Sequence, residues 1–185
     1  MTLSLLQLVI EEVTGETFST YMQDAVLDPL GMVHSSFEWR ADLRPATAVA
    51  YNESEVPLPN YLFTEKAAAG LYTTAPDLAR FVAAGMAGPN GEPAGRGVLT
   101  PDTLALMFTP VIQLQEQEAQ GLGHHISTLP DGSRMIGHGG ANAGWRAYFV
   151  AIPEQGLGVV VLTNSDNGMA LIDNVVSVCG EQLLP

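Results

Sequence analysis

Positive charge is scarce in this 185-residue chain: seven lysines and arginines stand against twenty aspartates and glutamates, a formal net charge of −13. A surface this acidic repels phosphate backbones and anionic lipid, and the basic residues are scattered. Nucleic acid and membrane surfaces are therefore not expected partners. Cysteine is nearly absent. Cys179 stands alone, so no intrachain disulfide can form, and its apolar helical surroundings read as core rather than as a reactive thiol. No apolar run is long enough to span a bilayer. Met1-Thr2-Leu3 has no basic n-region and leads straight into an amphipathic pattern, so no signal peptide is read there, and the compartment stays open. Metal-ligand spacing is lacking too. His124 and His125 are adjacent, with no carboxylate or cysteine partners at ligand spacing, and no metal or cofactor is expected. Adjacent strand residues point to opposite faces, so one of these two histidines could edge a cleft.

What is present is a hydrophobic fraction of 46% with only 15% charged residues, enough for a substantial core and too apolar for disorder. The apolar spacing over 3–13 predicts a helix closed by Gly15. Phe18, Tyr21, Met22, Ala25 and Val26 fall on one helical face behind Thr17 as N-cap, and Pro29 stops it. Residues 33–66 read as loop with at most short strands. Thr74-Ala75-Pro76-Asp77 predicts a capping box, opening a helix that buries Leu78, Phe81, Val82 and Met86. Gly85 to Gly97 reads as a surface loop. Thr100-Pro101 opens a short helix whose inner face is Leu104, Met107 and Phe108. From Gly121 the pattern changes. Strand-like runs at 122–128, 134–138, 147–152 and 158–163 are joined by turns too short for crossovers, which predicts an antiparallel meander. A last helix spans 168–183. The fold class is α+β: residues 1–120 mainly helix and loop, residues 121–185 an antiparallel sheet plus C-terminal helix, in one compact unit.

Between two strand-like runs lies Gly137-His138-Gly139-Gly140-Ala141-Asn142-Ala143-Gly144-Trp145. Glycines there let a ligand approach the backbone, and a small-residue strand can aim N–H groups at a developing oxyanion. A histidine there could donate a hydrogen bond or bind a carboxylate. The same residues also fit a glycine-rich hairpin with an incidental histidine. Trp145 fits a substrate wall or a core aromatic equally, Arg146 is expected to pair with a surface acid, and Asn164 to end a strand.

Order along the chain weighs on that choice. Asp28-Pro29-Leu30-Gly31-Met32, Gly70-Leu71-Tyr72-Thr73-Thr74-Ala75-Pro76-Asp77-Leu78-Ala79-Arg80-Phe81, Gly121-Leu122-Gly123, His138-Gly139-Gly140, Gly144-Trp145 and Val159-Val160-Val161-Leu162-Thr163-Asn164 succeed one another. The set resembles the serine β-lactamase-like hydrolases: class C β-lactamases, D-alanyl-D-alanine carboxypeptidases and related esterases. The resemblance implies a partial β-lactamase/transpeptidase-like fold and a serine acyl-enzyme mechanism. It implies that His138-Gly139-Gly140 is the third active-site motif, that the Ala141 N–H is an oxyanion donor, and that Asn142 flanks the acyl pocket. It also places Tyr61 and Phe63 in a loop over the site, where they could contact substrate, though packing under a long loop is the safer reading. His138 in place of lysine fits the esterase and peptidase branches better than an antibiotic-degrading enzyme.

The chain departs from that pattern in its first two motifs. Its one lysine is Lys66, and Phe63 stands three residues before it, so S-x-x-K is absent. No tyrosine is followed two residues later by asparagine. The expectation is the C-terminal portion of a serine hydrolase, inactive alone. The alternatives are a non-catalytic binding module that retains the cleft wall, or one half of a complemented enzyme. The implied ligand of the completed site is a small ester, amide or peptide. In the family, strands of the missing half lie beside the last strand here. Without them Val159 to Leu162 becomes an exposed apolar edge, and a homodimer through that edge is expected.

Overall fold

The computed structural model describes residues 2–183. Helix α1 (Thr2–Thr14) ends where Gly15 takes φ 72° and its N–H returns to the Glu11 carbonyl at 2.9 Å, the left-handed stop that glycine permits. Helix α2 (Phe18–Met22) starts at Thr17, whose side chain accepts the Thr20 N–H, and runs into a π-helical turn, Gln23–Leu27. The loop region that follows holds a 3-10 turn (Arg44–Ala46), the two-residue strands β1 (Ala50–Tyr51) and β2 (Pro57–Leu58) and the short helix α3 (Lys66–Ala69).

Helix α4 (Ala75–Ala84) is capped by Thr74, which accepts the Asp77 N–H at 3.3 Å. The reciprocal half of the expected capping box does not form. The Asp77 carboxylate instead accepts from the His34 N–H at 2.7 Å, the Ser35 hydroxyl at 2.9 Å and Arg80 at 2.8 Å. It is 0% exposed, and it ties the loop after α2 to the start of α4. Val82 and Met86 are buried as expected, Met86 just past the helix end, whereas Phe81 is 38% exposed. Thr100 caps α5 (Pro101–Met107) through the Thr103 N–H, and Leu104 and Phe108 are buried.

The sheet is a six-stranded antiparallel meander in sequence order: β3 (Ile112–Gln115), β4 (Glu118–Gln120), β5 (His125–Thr128), β6 (Arg134–Asn142), β7 (Trp145–Ile152) and β8 (Leu157–Thr163). The first two strands were not expected, and the sheet begins at Ile112. Both are short, and β3 is exposed along its whole length, so no apolar run marks it. Strand β6 extends four residues beyond the expected run, so His138 to Asn142 lies within a strand. One sheet face carries Ala119, Ile126, Ile136 and Ala151 against Val82, Met86, Leu104 and Phe108. Side chains as buried as Ile126 and Ile136 contribute about 1.5–3 kcal/mol each. Helix α6 (Gly168–Leu183) covers the other face, with Ile172 at 2% exposure and Cys179 half-buried in an apolar crevice beside Val176 and Val150.

Strand β8 is the outer strand of this sheet. Tyr148↔Val161 and Val150↔Val159 exchange hydrogen bonds across to β7, so the N–H and C=O groups of Gly158, Val160 and Leu162 point outward. Just past the strand, β1 takes over that edge: the Tyr51 N–H donates to Asn164 at 3.0 Å and the Asp166 N–H to Tyr51 at 2.9 Å.

Candidate active-site wall

The geometry of the glycine-rich motif follows from its turn. Asn142 and Trp145 face each other across the two-residue turn Ala143-Gly144, and only a mutual pair of backbone hydrogen bonds is available at that closure. Alternation puts His138↔Phe149 and Gly140↔Ala147 in the same class. Gly139 and Ala141 then direct their N–H and C=O groups away from β7. On that side β5 pairs with β6 only as far as His125↔Gly137. The Gly139 and Ala141 amides therefore lie along an open strand edge, with no protein partner among the described residues.

His138, Gly140 and Asn142 share one face with Ile136 of the core, and their strand partners Phe149, Ala147 and Trp145 share it too. His138 and Ala141 are exposed, and Asn142 and Trp145 are half-buried. A Cβ on Gly140 would meet nothing nearer than Ala147 Cβ at 3.9 Å, so packing does not demand this glycine and its bareness keeps the backbone open. Gly144 is demanded by structure. It has φ 77°, and a Cβ there would stand 2.6 Å from Ala50 Cβ.

Three groups support this wall. Asp166 accepts the Gly144 N–H at 2.9 Å and pairs with Arg146 at 2.9 Å. Arg146 in turn donates to the Asn142 and Trp145 carbonyls at 2.7 and 2.8 Å, so one carboxylate and one guanidinium clamp the hairpin tip. The acid expected at the surface is in fact 16% exposed. Second, His124 is buried, edge-on to Phe108 at 5.1 Å and to Phe149 at 6.0 Å. Its Nδ1 lies 3.1 Å from the Leu122 carbonyl, which can only accept, so Nδ1 carries the proton and Nε2 is left as an acceptor. Burial pushes the His124 pKa below its usual value of 6.5. The Leu122 carbonyl works against that shift, and His138 nearby adds to it. His125 is exposed and pairs with Glu118, so the two histidines do part to opposite environments. Third, Gly121 to His124 turn back on themselves, the Gly121 N–H donating to the His124 carbonyl at 2.8 Å, and this ends β5 short of the motif.

Tyr61 is 46% exposed, and its carbonyl accepts from the Tyr72 hydroxyl at 2.9 Å. It makes no hydrogen bond or ring contact with β6 or β7 among the described residues. Asn164 ends β8 and donates to the Val49 carbonyl at 2.7 Å. Ser165-Asp166-Asn167 has Ser-x-Asn spacing but follows the third motif in the chain. It forms the turn into α6, where the Ser165 hydroxyl accepts the Asn167 N–H at 3.1 Å. Lys66 does meet a serine, its ammonium lying 2.9 Å from the Ser19 hydroxyl, but Glu38 holds the same ammonium. Hydrogen bonds from Lys66 and Ser19 keep the Glu38 carboxyl below the usual carboxylate range. An ammonium tied to a carboxylate cannot take a proton from the serine, so this pair is an ion-pair pin. Neither that cluster's polar concavity nor the apolar crevice under α6 includes His138.

An open strand edge with a histidine and a bare glycine floor on one face thus lies within a meander backed by helices on both sides. The overall fold is shared with known proteins. The penicillin-binding protein homologue from Pyrococcus abyssi superposes with a TM-score of 0.69 at 26% identity, over 88% of this chain and 37% of its own. The D-alanine carboxypeptidase AmpC from Burkholderia cenocepacia gives 0.74 at 20% identity, over 88% and 55%. The human protein described as putative beta-lactamase-like 1 is 27% identical over 151 residues, 78% of this chain and 29% of that one. The chain thus spans about half or less of these relatives' lengths. The fold is the β-lactamase/transpeptidase fold in part. The Beta-lactamase family model matches residues 1–175, and the chain belongs to that family.

Proposed function

We propose that this chain is the C-terminal portion of a serine hydrolase and forms one wall of its active site, acting on a small ester, amide or peptide. The observation that carries the reading is the unpaired outer edge of β6, with the Ala141 amide directed away from β7 beside the His138 face. A substrate carbonyl lies against that edge. A serine hydroxyl from the other half adds to the carbonyl carbon and gives its proton to a base on that half. The carbonyl oxygen becomes an oxyanion, which takes the Ala141 N–H and the serine's own N–H. On collapse the leaving group takes the proton back from that base and departs as alcohol or amine, and water then cleaves the acyl-serine ester to the acid and the free serine. One oxyanion donor of this kind is typically worth about 10²–10³ in kcat. His138 donates to the substrate or receives its carboxylate, Asn142 and Trp145 flank the acyl group, and Tyr61 belongs to a loop over the cleft.

Support for inactivity in isolation is chemical. The chain has no S-x-x-K and no Tyr-x-Asn, and its one serine–lysine contact is neutralised by Glu38. The isolated chain is expected to give no covalent adduct with a fluorophosphonate probe by intact-mass spectrometry. Stoichiometric labelling at a mapped serine of this chain refutes the reading.

A further inference from the structure

Helix α1 is built inside out. Ser4, Gln7 and Glu11 lie on its inner side. The Gln7 side-chain oxygen accepts the Ala67 N–H at 3.2 Å, its amide donates to the Thr64 carbonyl at 3.4 Å, and Glu11 accepts the Phe18 N–H at 3.0 Å. Ile10 is half-buried with that inner side, but most of the apolar residues face away: Leu5 is 59% exposed, Leu6 52%, Leu8 52%, Val9 54% and Val13 80%. A surface helix normally buries its apolar stripe and shows its polar one. This helix satisfies its polar side against α3 and the start of α2, and leaves about five large side chains to water, a patch of the kind that marks an interaction surface.

We propose that the outward face of α1 is the docking surface for the half of the β-lactamase-like fold that this chain does not span, supplied on the same polypeptide or on another. This rests on the reading of the chain as one part of a hydrolase. Two observations select that occupant. The region shared with this chain is 55% of one matched solved structure and 37% of another, so each carries a further part of about the same size or larger with no counterpart here. A second copy of this chain is disfavoured at this face by local charge: the exposed Glu12 and Glu16 lie beside the patch. Pairing two such faces would bring like charges together while burying the stripe. A neutral apolar segment meets no such cost. Docking there would also set the incoming half beside α1, the first helix of this chain.

The test is thiol accessibility. In a Cys179→Ser background, single cysteines replace Leu5, Val9 and Val13 in turn. The rate of labelling by a charged maleimide is measured in this chain alone. It is measured again with the part of the B. cenocepacia D-alanine carboxypeptidase outside the matched region joined ahead of this chain, and circular dichroism first establishes that the added segment is folded. Labelling should be fast in the chain alone at every concentration, and about 100-fold slower at all three positions in the joined protein. Unchanged rates in the joined, folded protein overturn the proposal. So does slowing in the isolated chain as its concentration rises, which would give the face to a second copy. Fluorophosphonate labelling of the joined protein reads the hydrolase assignment separately: protection without labelling leaves the docking surface standing and removes the hydrolase reading.

Discussion

Replacing Asp77 by alanine tests whether one buried carboxylate holds the helical part of this chain together. Asp77 is 0% exposed and accepts from the His34 N–H at 2.7 Å and the Ser35 hydroxyl at 2.9 Å. Each bond to a charged acceptor is worth about 1.5–3 kcal/mol net, so losing the two costs about 3–6 kcal/mol. Ser35 keeps a second partner, Thr73 at 2.7 Å, which places the expected loss at the lower end. The Arg80 pair at 2.8 Å joins a half-exposed guanidinium to the buried carboxylate; truncating the arginine lets water reach the freed oxygen, so its loss costs less than that of the two buried bonds. Arg80→Ala is therefore the matched control. In urea unfolding followed by circular dichroism, with a slope of about 1–3 kcal/mol per molar, Asp77→Ala should lower the midpoint by about 1–3 M and Arg80→Ala by less than about 0.5 M. Equal effects of the two substitutions would refute the reasoning, because the ion pair and not the buried bonds would then carry the energy.

The remaining predictions concern the wall and the sheet. His124 has its pKa pushed below 6.5 by burial, so below pH 6.5 the unfolded chain binds a proton that the folded chain refuses, and stability falls as pH drops, by at most about 1.4 kcal/mol per pH unit. His124→Phe should remove that component from the difference in unfolding free energy measured at pH 7.5 and just below 6; an unchanged difference refutes it. Gly144→Ala should destabilise by about 2–5 kcal/mol, since it adds a left-handed penalty to overpacking against Ala50. Gly123→Ala, at φ 78° with nothing within 4 Å, should cost only about 1–2 kcal/mol in the same urea unfolding. Strand β8 has no charge or proline in its seven residues and presents Gly158, Val160 and Leu162 outward. At high concentration, the chain alone is expected to dimerise through this edge by antiparallel pairing centred on Val160. Val160→Pro removes an outward N–H and no bond to β7, so it should leave a monomer by light scattering where the parent dimerises; a parent that stays monomeric counts against the edge.

Periodicity made the helices legible because their caps and stops are local. Thr17, Thr74 and Thr100 each accept the expected N–H, and Gly15 closes α1 by its own φ. The inversion of α1 was not legible, because a stripe shows that a helix has two faces and not which one the rest of the chain will meet. Strands β3 and β4 escaped because Ile112-Gln113-Leu114-Gln115 alternates over only four residues. Asp77 reads as an N-terminal turn acid in any sequence; its role depends on His34 and Ser35, more than forty residues earlier. Asp166 likewise looks like a turn residue until the hairpin tip, 22 residues before it, is folded against it.

The wall itself shows how far sequence order can carry a site. The motif His138-Gly139-Gly140-Ala141 can be found by its neighbours along the chain, and alternation from the Ala143-Gly144 turn then fixes which amides point away from β7. Whether those amides are free is decided elsewhere. The register His125↔Gly137, continued backward, would pair Gly123 with Gly139 and Gly121 with Ala141, and the edge would be filled by the protein's own backbone. It is left open because Gly123 takes φ 78° and the Gly121 N–H bonds the His124 carbonyl, peeling the chain off the sheet two residues before it reaches the motif. His124, left at that corner with its ring against Phe108 and Phe149, buries the bend. The open edge at Ala141 is therefore made by the end of β5 as much as by β6. A substitution that straightens residues 121–124 should close the wall without touching any residue of the motif.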